Sequence, residues 1–322
     1  MMNMNKSYGC KLFTLVIAAV GLYTSGSFAA DAPDLDTALR NTYTSCVGID
    51  ESLSELKKLA GINTAVTGVG TALGIGAVAT GIAKERTDKD IAEMERHLQE
   101  LENAAKNQDV SKLSRINISK EQIHAMFAED EAKAAEVSEL EKLNKKSKKL
   151  GNWRTGLMAG SAATNVAGAI IAHKNQVDED LQTQIDNCKE SVKILRDAIN
   201  AARIAGEDVT EANNIVNACR EFEYVDISPI NKRGKGAMIS SMVGATTGIA
   251  GTVTSAMANS DATRNDNSDS GKEKEKNLNT TSNVLAGATT VASATATVFN
   301  ATQISAIKKV SAVASACTEV LK

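Results

Sequence analysis

The chain has 322 residues, 43% of them apolar but only 3% aromatic, and 36 basic against 39 acidic residues leave a formal net charge of −3. That balance excludes a dedicated nucleic-acid binder, and two prolines with so few aromatics exclude a β-sandwich or a typical α/β enzyme. The composition is that of an all-α protein, and no small-molecule substrate is evident in it.

Lys6 and Lys11 precede the apolar run Leu12 to Leu22, and Ser27-Phe28-Ala29 puts small residues at the positions a signal peptidase reads. The expectation is a signal peptide over 1–29, cleaved after Ala29. The protein is then exported to the periplasm or the cell-envelope membrane of a bacterium, and residues 30–322 form a single elongated helical domain. Cys10 lies before the apolar run, where a lipid-modified cysteine would not, and leaves with the leader.

Four stretches contain no Lys, Arg, Asp or Glu: 59–83, 155–173, 236–260 and 277–307. At this charge content a given 25-residue window is charge-free by chance roughly 0.1–0.2% of the time, so four of them are a property of the design. Between them the apolar residues recur with helical spacing, as at Leu181, Ile185, Cys188, Val192, Leu195 and Ile199.

Local signals divide the helices. Pro33 and Asp34 introduce a first helix, expected from about Leu35 to about Lys106. After a connection over 107–119, the capping box at Ser119 to Gln122 opens a second, expected to continue to Ile204 and to stop at Gly206. Asp208 to Glu211 cap a third, which the stretch from Tyr224 to Gly236, containing Pro229, interrupts before the third uncharged run resumes it. A polar loop over 260–277 is the last reversal, and a fourth helix runs to near Val320. The fold is thus an up-down-up-down bundle, with a charged hairpin arm over 84–154 and a short hairpin over 175–223.

Four cysteines remain after the leader, Cys46, Cys188, Cys219 and Cys317, one per expected helix and each on its apolar stripe. An even number in an exported chain predicts two disulfides. Two pairings fit the geometry, and the expected one joins Cys188 to Cys219 and Cys46 to Cys317, stapling the short hairpin and the two chain ends.

Small residues recur every fourth position in the second run (Gly156, Gly160, Thr164, Gly168) and the third (Gly244, Gly248, Thr252), while the first has Gly70 and Gly74. Glycine inside a water-exposed helix costs about 1 kcal/mol relative to alanine, so these rows are expected to be offset by close helix packing. A helix with no charged face is normally buried all round, in a bilayer or among other copies of the chain. Basic residues flank both ends of the runs, so charge alone does not orient them in a membrane.

Catalytic chemistry is sparse. His97, His124 and His173 are far apart, Gly68-Val69-Gly70 has no preceding strand, and 231–236 lacks the Walker spacing. The stretch from Asp266 resembles a calcium loop until its twelfth position, where Asn277 stands in place of glutamate. No catalytic, cofactor or metal site is expected. A leader, long charged helices and small-residue hairpins resemble α-helical pore-forming toxins in organisation, although no motif carries the resemblance. The leading expectation is a non-enzymatic cell-envelope protein that is membrane-associated or self-assembling, and the alternative is a secreted α-helical pore former.

Overall fold

The computed structural model describes residues 34–107, 120–264, 266 and 268–321. The leader with its cleavage site, the connection over 107–119 beyond its first residue, and the Ser119 end of the capping box lie outside them. The chain is all-α: α1 Leu35–Cys46, α2 Ile49–Asn107, α3 Lys120–Lys174, α4 Glu179–Ala205, α5 Thr210–Cys219, α6 Ser228–Ala258, α7 Asp261–Arg264 and α8 Asp269–Leu321, with a 3-10 turn at Arg220–Tyr224.

α2, α3, α6 and α8 form the bundle. α2 and α6 each pack against both α3 and α8, with little contact across the diagonals, so the four stand at the corners of a square. Sequential helices run in opposite directions, because each returns through the length of the one before. Beyond one end of the square α2 and α3 continue as a two-helix arm, in which His97 meets Glu136 at 3.3 Å. At the other end α1, α4, α5 and the 3-10 turn pack on the ends of α2 and α8 to make a lobe.

Four boundaries differ from the sequence reading. The first helix breaks at Val47 and Gly48, where Gly48 takes φ +95°, a left-handed conformation that glycine adopts without a Cβ penalty. This break lets α1 fold against α4 while α2 departs into the bundle. The second helix ends at Lys174. A new one starts where Asp178 accepts from the Leu181 N–H at 2.8 Å, a cap stronger than any tendency to continue. The interruption expected before Gly236 is present but shorter: the 3-10 turn ends at Tyr224 and α6 already starts at Ser228, with Pro229 in its first turn, where a proline N–H has no use. The expected loop over 260–277 is shorter, because α8 begins at Asp269 with Ser268 Oγ accepting from the Gly271 N–H at 3.0 Å. The stop at Gly206 stands as read, with φ +82° and the Glu207 N–H returning to Ala202 O at 3.0 Å.

The disulfide pairing is also corrected. Cys46 bonds Cys188 and Cys219 bonds Cys317. Contacts decide this: α1 lies along α4, and α5 lies along α8, so each cysteine meets the one on the helix beside it.

The lobe holds the conventional hydrophobic core. Ile49, Leu53, Ile185, Leu195, Phe222 and Ile307 are each 2% exposed or less and belong to one cluster. Within the bundle the apolar counterpart is a single layer of Ala77, Met158 and Ala286.

Candidate functional site: an inside-out bundle closed by buried cations

Each bundle helix turns one row of residues inward, and the row repeats by alternating threes and fours. On α2 it is Asn63, Thr67, Gly70, Gly74, Ala77, Gly81 and Lys84, all buried. On α3 it is Arg154, Met158, Ser161, Asn165 and Gly168. A seven-residue repeat drifts only about 20° per heptad around an α-helix, so such a row stays on one face along the whole bundle. The inward positions are therefore dominated by small and polar residues.

Those polar groups bond across helices. Asn63 Nδ2 on α2 donates to Asn300 Oδ1 on α8 at 2.9 Å, and Ser161 Oγ on α3 donates to Gly70 O on α2 at 2.8 Å. Asn165 Nδ2 on α3 donates to Ser293 Oγ on α8 at 2.7 Å, and the hydroxyls of Thr247 on α6 and Thr289 on α8 meet at 2.9 Å. Nearer the lobe, Gln303 Nε2 donates to Asn175 O at 2.8 Å and to Ile230 O at 3.3 Å. Two buried atoms in this region, Asn63 Oδ1 and Ser241 Oγ, have no hydrogen-bond partner, and both border the space beside Gly168.

The outward positions are the reverse. Ile62, Val69, Ile75 and Ile82 on α2, Val166 and Ile170 on α3, Ile239, Ile249 and Val253 on α6, and Val284, Val291 and Val298 on α8 are all exposed. No charged residue separates them over the four uncharged runs. By length and composition α2, α3 and α8 are apolar enough to cross a membrane; α6, richer in glycine, serine and threonine, is not among them. Trp153, 60% exposed, sits at the arm-end border of this apolar belt.

At that same border the two largest fully buried side chains of the described residues are cations, Arg154 and Lys84. Lys84 Nζ donates to Asp88 Oδ2 at 2.6 Å and to Glu275 Oε1 at 3.4 Å. Arg154 donates from Nε to Ser255 Oγ at 3.0 Å, from Nη1 to Asn283 Oδ1 at 3.0 Å and from Nη2 to Asn279 Oδ1 at 2.8 Å. Together they tie all four bundle helices where α6 and α8 turn back and only the arm continues. Outside the belt, exposed carboxylates cap local turns. Asp226 is held below the usual carboxylate range by the Ser228 side-chain hydroxyl and then by its N–H, and Asp208 likewise by Thr210.

Of the glycines expected to pack, Gly70 faces Thr164 and Ser293, Gly168 faces the buried Thr67, Ser241 and Asn63, Gly74 faces Thr290, Gly160 faces the tip of Leu73, Gly244 faces Asn165 and Gly248 faces Ala162. Gly156 is corrected: it is exposed, with nothing within 4 Å of where a Cβ would stand. The every-fourth row is the reason, since each step of four residues turns about 40° past a full circle and leaves the face within a few steps. The same error hid Lys84 and Arg154. Continuing the three-four row of Asn63 to Gly81 lands on Lys84, and running that of Asn165 backwards lands on Arg154. The cysteines gather in the lobe, at the opposite end from this cluster. No family model, no curated protein and no solved structure matches the chain.

Proposed function

We propose that this is a non-enzymatic cell-envelope protein whose four uncharged helical segments form a bundle embedded in a lipid bilayer. The bundle carries the disulfide lobe on one side and the helical arm on the other, and acts as a structural or interaction module.

The observation that supports this is the polarity of the bundle: isoleucine and valine outside, asparagine, serine, threonine and glycine inside. In water this arrangement leaves apolar surface unburied at roughly 25 cal/mol per Å² while hydrogen-bonding groups occupy the core. In hydrocarbon it is favourable, because lipid covers the exterior and close backbones and interhelical hydrogen bonds hold the interior. The 25 residues of the first run extend about 37 Å as a helix, enough for a hydrocarbon core of about 30 Å. The lobe obeys the opposite, water-soluble rule, with its aliphatic side chains inside. Its two disulfides belong to an oxidising compartment, as an exported chain requires.

Carbonate extraction followed by liposome flotation tests the reading. The full chain should remain in the carbonate-resistant pellet and float with lipid. Recovery as a water-soluble oligomer without detergent would instead mean that other copies cover the apolar exterior, and the proposal would fail.

A further inference from the structure

The two ends of the bundle differ chemically. Both disulfides lie at the lobe end, at Cys46–Cys188 and Cys219–Cys317, and no cysteine occurs between 84 and 154 or between 261 and 276 at the arm end. The arm end carries the denser clusters of lysine and arginine. α3 brings five lysines between 142 and 149, α8 brings three between 272 and 276, and Arg264 lies between them. Lys146, Lys149, Lys274 and Lys276 are exposed around this rim, at the same end of the bundle as Trp153. At the lobe end Lys57, Lys58, Lys174, Lys308 and Lys309 also border the runs, but in ones and twos on separate helices, and the densest group, Lys232, Arg233 and Lys235 at the start of α6, is smaller.

Each difference has a compartment attached to it. Disulfides form and persist on the oxidising side of a membrane. Clustered Lys and Arg beside a hydrophobic segment are retained on the side from which insertion starts, where anionic headgroups also attract them. The criteria rest on different residues at opposite ends, and they agree. Charge read along the sequence could not decide this, since basic residues flank every run. The fold decides it by gathering the cysteines into one lobe.

Resting on the membrane reading above, we propose that the bundle crosses the bilayer in a single orientation. The disulfide lobe faces the oxidising compartment, and the arm projects into the reducing one with its basic rim against anionic lipid headgroups. Trp153 then lies at the reducing-side interface, a level that suits an amphipathic ring.

The test uses the full chain in sealed right-side-out vesicles and a membrane-impermeant maleimide, with one cysteine added at an exposed position on either end, Glu207→Cys in the lobe or Ser138→Cys on the arm. Glu207→Cys should label at once, and Ser138→Cys only after detergent opens the vesicles. Labelling of Ser138→Cys before detergent, or protection of Glu207→Cys, in protein that resists carbonate overturns the orientation and leaves the membrane reading intact. Release of the protein into the carbonate wash overturns both.

Discussion

Arg154 on α3 reaches across the bundle to Asn283 on α8 with 3.0 Å between Nη1 and Oδ1, and no part of its side chain meets solvent. Its three hydrogen-bond acceptors are neutral side chains on two different helices, so this cation joins α3 to α6 and α8 without a carboxylate at salt-bridge distance among the described residues. Lys84 performs the same closure for α2 through Glu275. The belt of the bundle is held by packing and neutral hydrogen bonds, and its arm-end border by these two charges.

Arg154→Met should therefore destabilise the protein, because it removes the guanidinium that Asn279 and Asn283 accept from and leaves Ser255 only its contact with the Thr155 hydroxyl. A buried group stripped of its partner costs about 1–3 kcal/mol. Lys146→Met, at an exposed position four residues into the rim, should stay within about 0.5 kcal/mol of the parent. Thermal unfolding in detergent compares them, and equal melting of the two variants would show that the Arg154 network holds nothing.

The glycines on the inward and outward faces should respond with opposite sign. A Cβ at Gly248 would meet Ala162 Cβ at 2.9 Å and its Cα at 3.1 Å, and backbone cannot move aside cheaply. Gly248→Ala is expected to cost about 1–3 kcal/mol by overpacking. Gly156→Ala meets no atom and should gain up to about 1 kcal/mol from helix propensity. The melting temperatures of the two variants give the order directly, and a stabilising Gly248→Ala would mean that α3 and α6 are not in close contact.

Val291 stands near the middle of the last uncharged run, 67% exposed on the outer face of α8. If that face meets lipid, Val291→Lys places a charge at mid-bilayer depth and raises the insertion free energy by about 2.5–3.5 kcal/mol. The carbonate-resistant fraction should fall. A bundle facing water would tolerate the same change or become more soluble, so unchanged membrane retention would count against the lipid-facing assignment.

Acid should loosen the start of α6 through Asp226, which accepts from the Ser228 N–H at 2.9 Å and whose carboxyl is held below its usual range. A lowered carboxylate pKa means that the unfolded chain binds the proton more readily. The contribution of this turn bond is thus complete above the ordinary carboxylate value and is lost as the pH falls below it, through the lowered one. Asp226→Asn keeps an acceptor oxygen without titrating, so its melting temperature relative to the parent should rise as the pH falls through that window. A constant difference between the two proteins would refute the assignment.

The sequence by itself determined what depends on neighbours along the chain. The all-α class, the four uncharged runs, the cap at Gly206 and an even set of four cysteines all follow from residues a few positions apart. Only the tertiary structure decided which way each helix faces. Gly156 and Gly160 look equivalent in an every-fourth row and neither is on the inward three-four row of α3, yet Gly156 is open and Gly160 meets Leu73, because only the position of α2 decides which flank of α3 is covered. The partners of Cys46 and Cys219, the break at Gly48 and the burial of Lys84 and Arg154 were decided in the same way. Each depends on residues far apart in the chain coming into contact, 142 positions for Cys46 with Cys188 and 191 for Lys84 with Glu275, and a helix read alone carries its periodicity but not the identity of the helix packed against it.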